Sequence, residues 1–275
     1  MSHFRIRSFT DAQIAAYARE YAAARPFPHV VIPDVLSAAP ADTLPSFPAL
    51  DAACWKRSTD AYQRGKLTLS NIQLVAEPLA TMLRELMEPA VLQFVEQISG
   101  VAQLLPDPYL QGAGLFCSGA GGYMAPHTDS HVNERLGIYR RVNILVYLNP
   151  EWSEADGGCL ELFDEADVGT PVRTIVPGWG TMVLFRSDAH SVHGFTKPIA
   201  DSGRVRRALA MYYYTAVDTA AFNGYSLTDW RRHDPYWTSP TSVLSQARLQ
   251  LYRALRFSSK ALAYLAHRAG PHLAN

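Results

Sequence analysis

Residues 121–129 read Gly-Gly-Tyr-Met-Ala-Pro-His-Thr-Asp, and the spacing at the end of this stretch sets the reading of what surrounds it. Successive side chains of a β-strand alternate between faces, so His127 and Asp129 point the same way if the stretch is extended. In a helix the same spacing would put them on nearly opposite sides. A glycine-rich turn (Gly119, Gly121, Gly122) precedes the motif. Outward from it, short apolar or alternating runs recur between Gly, Pro, Asp and Asn, at 110–117, 123–127, 142–148, 159–163, 172–176, 181–185, 191–195 and 204–215. About eight closely spaced strands with no intervening helix predict a mainly β core of jelly-roll type over residues 109–216.

The flanks carry helical patterns. Thr10 and Asp11 open an Ala-rich segment with Ile14, Tyr17 and Tyr21 at helical spacing, stopped by Pro26 and Pro28. Residues 29–32 form a β-branched run, and the Pro-, Ala- and Ser-rich chain to about residue 50 predicts loops with one short helix. Residues 76–99 return to helical periodicity, broken at Pro89 and stopped at Gly100. Near the end, 241–268 place Leu244, Leu251, Leu255, Leu262 and Leu265 on one side of a helix. After residue 235 stand Arg248, Arg253, Arg256, Lys260 and Arg268, with no acidic residue. The plain reading is a helix packed on the β core with a solvated basic face. The sharper one is a surface for anionic lipid, a carrier protein or a partner subunit. The expected organisation is one domain over 1–275: a helical and strand part (1–108), the β core (109–216) and a C-terminal helical extension (217–275).

Composition excludes several classes. Of 275 residues, 48% are hydrophobic and 18% charged, which suits a packed globule. Basic and acidic residues balance at 25 each, so no global charge argues for nucleic acid. Cys54, Cys117 and Cys159 are scattered, without a CxxC pair, which excludes a disulfide framework and a thiolate zinc site. The opening MSHFRIRSF has no apolar run of signal-peptide length, and no stretch approaches the roughly 18 apolar residues of a membrane span. The expectation is a soluble, cytoplasmic protein.

His127 and Asp129 gain meaning from a distant histidine. Two ligands from one strand end and a third, His193, from another strand can occupy one triangular face of an octahedron and leave the opposite face open. That is the two-histidine, one-carboxylate pattern of non-haem iron(II) sites. An isolated HxD is common; the surrounding strands give this one its weight. His131 shares the parity but would lie about 13 Å along an extended strand from residue 127. His190, three residues before His193, stays open as the alternative third ligand.

The second signal is Arg204-Val-Arg-Arg-Ala-Leu-Ala-Met-Tyr-Tyr-Tyr214. At period two, Arg206, Ala208, Ala210 and Tyr212 share one face. A guanidinium beside two alanines leaves room for a small dicarboxylate held through paired hydrogen bonds. An arginine buried without an anion is costly, so an inward Arg206 implies an acidic ligand or partner.

These segments, together with Arg140-Arg-Val-Asn-Ile-Leu-Val-Tyr-Leu-Asn-Pro-Glu-Trp152, Gly157-Gly-Cys-Leu-Glu-Leu-Phe163 and Gly180-Thr-Met-Val-Leu-Phe185, resemble the prolyl-hydroxylase-like branch of the 2-oxoglutarate/iron(II) oxygenases over roughly 110–215. The resemblance implies a double-stranded β-helix with iron at one end, and dioxygen and 2-oxoglutarate as cosubstrates, with ascorbate an optional reductant. It implies that His127, Asp129 and His193 bind iron, that Arg206 binds the distal carboxylate of 2-oxoglutarate, and that Tyr147 donates a hydrogen bond to it. Asn143, of the same parity as Tyr147, faces the cosubstrate in this reading. The interval from His193 to Arg206 exceeds the family's usual one, which leaves Arg207 as the alternative anchor, and Ala210 replaces a frequent hydroxyl residue. A carboxylate at Asp129 argues for hydroxylation over halogenation. The substrate class implied is a small molecule or a peptidyl group. Two rival classes remain: a cupin-like metal enzyme that does not use 2-oxoglutarate, and a non-catalytic β-sandwich binding module.

Overall fold

The computed structural model describes residues 2–60, 62–217 and 228–231, with Leu251, Ala254, Leu255 and Ser258 near the C-terminus. The expected basic helix over 241–268 lies, those four residues apart, outside the described residues.

The strands in chain order are β1 (His29–Ile32), β2 (Lys56–Ser58), β3 (Gln63–Arg64), β4 (Lys66–Leu69), β5 (Leu105–Pro106), β6 (Gly114–Ser118), β7 (Tyr123–Thr128), β8 (Val132–Asn133), β9 (Ile138–Tyr147), β10 (Leu160–Leu162), β11 (Arg173–Ile175), β12 (Met182–Arg186), β13 (His193–Phe195), β14 (Arg206–Thr215) and β15 (Asp229–Trp230). The helices are α1 (Asp11–Ala23), α2 (Pro40–Thr43), α3 (Glu77–Glu85) and α4 (Pro89–Ser99). All eight runs expected between 110 and 215 contain a strand. Two ends differ: Leu110 takes a positive φ of 51° in a turn, and β9 begins at Ile138 rather than 142.

The strands form two antiparallel sheets. The larger runs β1-β12-β9-β14-β6-β4-β2, with β5 beside β14 and β8 beside β9. The smaller runs β11-β10-β13-β7-β15, with β3 beside β7. β9 and β14 sit at the centre of the larger sheet and are buried almost throughout. Their run of apolar residues follows from having both faces covered. On one face, Tyr213 donates to the Leu86 carbonyl just past α3, at 2.7 Å, so the helical layer caps that side. On the other, Arg206 and Tyr212 line a cavity shared with residues of the smaller sheet.

The helices start and stop where expected. Thr10 and Gln13 form a reciprocal capping box at α1. α4 ends at Gly100 in the left-handed conformation, φ 72°. Leu79, Met82, Leu83 and Leu86 of the α3 segment are fully buried in the main core. Strands β2, β3 and β4 were not expected from the sequence, and they extend the β structure around the cavity. Among the described residues no helix is long and apolar enough to cross a membrane.

Leu83→Ala should destabilise the fold by about 2–5 kcal/mol, because it leaves a cavity in the helix-covered core. Urea unfolding measures this; a loss below about 1 kcal/mol would show that α3 is not integral to the core.

Candidate metal centre

His127, Asp129 and His193 converge. One ligand atom from each lies within 4.8 Å of the others. His127 and His193 are direct cross-strand neighbours on β7 and β13, with ring centroids 4.5 Å apart. Asp129 follows β7 immediately, with Oδ1 3.6 Å from His127 Nε2 and Oδ2 3.7 Å from His193 Nε2. The pairing shifts register between His193 and Phe195, and Gly194 sits at that irregularity. A β-carbon there would stand 2.8 Å from the Met124 carbonyl oxygen, so only glycine allows the two strands to approach this closely.

Each imidazole is held by its far nitrogen. His127 Nδ1 donates to the Ala125 carbonyl at 2.9 Å, and His193 Nδ1 to the Ser191 carbonyl at 3.0 Å. These bonds fix the Nδ1-protonated tautomer and leave both Nε2 lone pairs aimed at the common point. Asp129 is held from the larger sheet: Asn143 Nδ2 donates to Oδ2 at 2.5 Å, and Arg140 Nη1 is 3.2 Å from the same oxygen. Burial alone would raise the Asp129 carboxyl. Arg140, His193 and His127 outweigh it and hold the group well below its usual range. Burial, and then the neighbouring His127, push His193 down to about 4. At neutral pH Asp129 is therefore ionised and His193 neutral, the states metal binding needs. The buried Asn143 Oδ1 finds no hydrogen-bond partner, another sign that a ligand belongs in the cavity.

Arg206 opens the lower end of β14 onto the same cavity and is 6% exposed. Its Nε donates to the Gly158 carbonyl at 2.6 Å, and Nη2 lies 3.3 Å from Tyr147 Oη. Its guanidinium packs over Phe195, 4.6 Å from the ring centre, and no carboxylate among the described residues pairs with it. Gly158 has φ +62°, and a β-carbon there would press within 3.1 Å of Arg206 Cδ. Ala208 and Ala210 follow on the Arg206 face, fully buried. Arg207 turns to the opposite face and packs over Phe47. Tyr147 is buried, and burial pushes its hydroxyl up to about 12, so it remains a donor.

The competing histidines are elsewhere. His131 is buried against Tyr139, with ring centres 5.5 Å apart, and His190 is exposed and paired with Glu165 at 2.6 Å. The loop after Asp129 is tied to its surroundings. Ser130 accepts from Arg140, Asn133 donates to Asp107, and Arg135 lies over Tyr109. Tyr123 is buried under Arg64, and Trp152 donates to the Gly157 carbonyl within a small core cluster. Two residues at the site escaped the sequence reading. Trp230 on β15 pairs with His127 and packs tilted against its ring, with centres 4.6 Å apart. Lys66 on β4 lines the same cavity as Arg206 and Asp129. A larger cavity, about 520 Å³, between Arg141, Arg186 and Val217, contains no such ligand set.

Residues 113–214 match the sequence profile of the 2OG-Fe(II) oxygenase superfamily. Prolyl 3-hydroxylase OGFOD1 of Xenopus laevis is 35% identical over 94 residues, which cover 32% of this chain and 18% of that protein. The chain thus matches less than a fifth of that relative's length. A Trichoplax adhaerens prolyl hydroxylase, solved with a hypoxia-inducible-factor peptide fragment, superposes with a TM-score of 0.50 at 17% identity, over 76% of this chain and 94% of that one. A Pseudomonas putida prolyl-4-hydroxylase does so with a TM-score of 0.50 at 18% identity, over 73% and 98%. At such identities the structures speak for the fold alone. The segment that matches the 2OG-Fe(II) oxygenase superfamily profile, residues 113–214, is also the one that brings two imidazoles and a carboxylate to one point.

Proposed function

We propose that the chain is a 2-oxoglutarate- and iron(II)-dependent hydroxylase acting on an unactivated C–H bond of a small-molecule or peptidyl, amino-acid-like substrate, with release of succinate and carbon dioxide. The observation that carries this reading is a three-ligand cluster and a buried, acid-free arginine facing one cavity. The two sheets are read as a double-stranded β-helix, and 1–108 as part of the same domain. In support, β1, β2 and β4 from that part belong to the larger sheet.

In this reading His127 Nε2, His193 Nε2 and an Asp129 oxygen hold the metal, and their fixed orientation leaves the cavity side open for cosubstrate and oxygen. Iron(II) and 2-oxoglutarate, when bound, would activate dioxygen, which is the oxidant: 2-oxoglutarate gives up two electrons on decarboxylation and the substrate two on hydroxylation. Arg206 receives the distal carboxylate of 2-oxoglutarate, with Tyr147 Oη as a second donor. Asn143 is a positioning residue: its amide anchors Asp129, and its free Oδ1 faces the cavity. Met124, Leu145, Leu160 and Phe185 line the remaining wall and keep water away from the reacting centre. A cupin-like enzyme without 2-oxoglutarate would have no use for a buried arginine lacking an acid, which speaks against that alternative.

Anaerobic addition of iron(II) and 2-oxoglutarate should produce a weak visible charge-transfer band, and admission of air should yield succinate; a protein that binds the metal yet gives neither refutes the reading. Asp129→Ala should remove both signals. Arg206→Ala should raise the 2-oxoglutarate concentration for half-maximal band intensity by about 10–100-fold, as expected for loss of a charge-assisted contact. An unchanged requirement would show that the arginine serves another purpose. Asn143→Ala should weaken Mn(II) binding about 10–100-fold by calorimetry, since it frees a ligating carboxylate to turn.

A further inference from the structure

We propose that the primary substrate carries a carboxylate and that Lys66 holds it beside the metal ligands; this deepens, and rests on, the oxygenase reading above. Lys66 opens β4, in the part of the larger sheet added by the N-terminal strands. Lys66 and Thr68 share one face of β4, and their partners across the ladder on β2 are Ser58 and Lys56. This face borders two connected spaces. Lys66 lines the inner cavity with Asp129 and Arg206, and it lines an outer mouth with Lys56, Thr68, His127 and Trp230. Among the described residues it is the one cation that lines both spaces.

Lys66 is also without an anionic partner. Its ammonium lies over the Phe116 ring, 4.6 Å from the centre, and makes no hydrogen bond or ion pair among the described residues. Asp129 is the one acid lining either space, and it is already held by Arg140 and Asn143. Burial pushes the Lys66 amine down to about 8, against the raising pull of Asp129. With cofactors bound, the 2-oxoglutarate dianion and Asp129 would carry three negative charges against five positive ones on iron(II), Arg140, Arg206 and Lys66. Two positive charges remain in excess, and an anionic substrate beside Lys66 would remove one of them. Lys56 and Lys66 share the mouth with neutral hydroxyls (Ser58, Thr68, Ser70), but of the two only Lys66 also lines the inner cavity, and a single ammonium on the metal side matches a monoanionic carboxylate better than a phosphate dianion. Trp230, packed between Tyr62 and His127, gives the mouth an apolar wall for the rest of the molecule.

The test uses the full chain loaded with Mn(II) and 2-oxoglutarate, so that binding is read without turnover. A panel of amino acids, N-acetyl amino acids and aryl acetates, each beside its primary amide, is titrated by tryptophan fluorescence and calorimetry. At least one acid should bind about 10-fold or more tightly than its amide. The preference should shrink to within about 3-fold in Lys66→Met and persist in Lys66→Arg, with 2-oxoglutarate affinity unchanged in both. Acids binding no better than amides across the panel would overturn the proposal, as would a preference that survives Lys66→Met. Loss of 2-oxoglutarate binding in Lys66→Met would also overturn it, by moving the lysine to the cosubstrate. Failure of the wild-type chain to take up Mn(II) and 2-oxoglutarate would instead overturn the oxygenase reading, and this proposal with it.

Discussion

The pairing of β7 with β13 is the constraint on which the centre depends. It sets His127 directly across from His193, and each imidazole is then oriented by a bond from Nδ1 to a carbonyl two residues earlier in its own chain. The backbone therefore does most of the positioning, and the two side chains have little freedom left to lose when a metal arrives. Gly194 makes the pairing possible at this spacing, because any side chain there would collide with the backbone of β7.

The third ligand ties the smaller sheet to the larger one. Asp129 leaves the end of β7 and is gripped by Asn143 and Arg140, both from β9. A carboxylate in so dry a place would take up a proton if it stood alone; the Arg140 guanidinium foremost keeps it charged. The same low dielectric that makes this pairing effective makes the unmatched cations costly. Arg206 and Lys66 both face the cavity without an acid, and that shortage of negative charge is a property of the site as a whole. It suits a centre that receives anionic molecules.

Much of this was legible from the chain. The spacing of His127 and Asp129 has a single simple consequence in a strand, and the runs around it reveal eight of the nine strands between 109 and 216, the two-residue β8 being the one missed. The alternation along 206–213 also put Arg206 and Arg207 on opposite faces, because parity sets the faces of a strand, while the fold decided which of the two meets the cavity. Helix starts and stops were readable for an equally local reason: Thr10 with Gln13, Pro89 and Gly100 act on their own turns.

What the sequence could not reveal are the parts whose role depends on a partner far along the chain. Strands β2 to β4 are two to four residues long in a polar stretch, too short for any period to show, and they exist because β6 and β7 offer open edges. Lys66 and Trp230 became site residues only through those pairings and the one between β15 and β7. The loop after Asp129 gives no local sign of its partners, and it is held by contacts with Asp107, Tyr109 and Arg140. Periodicity is a local property and determined the strands and their faces; which strand meets which is a matter of long-range packing, and the tertiary structure alone decided it.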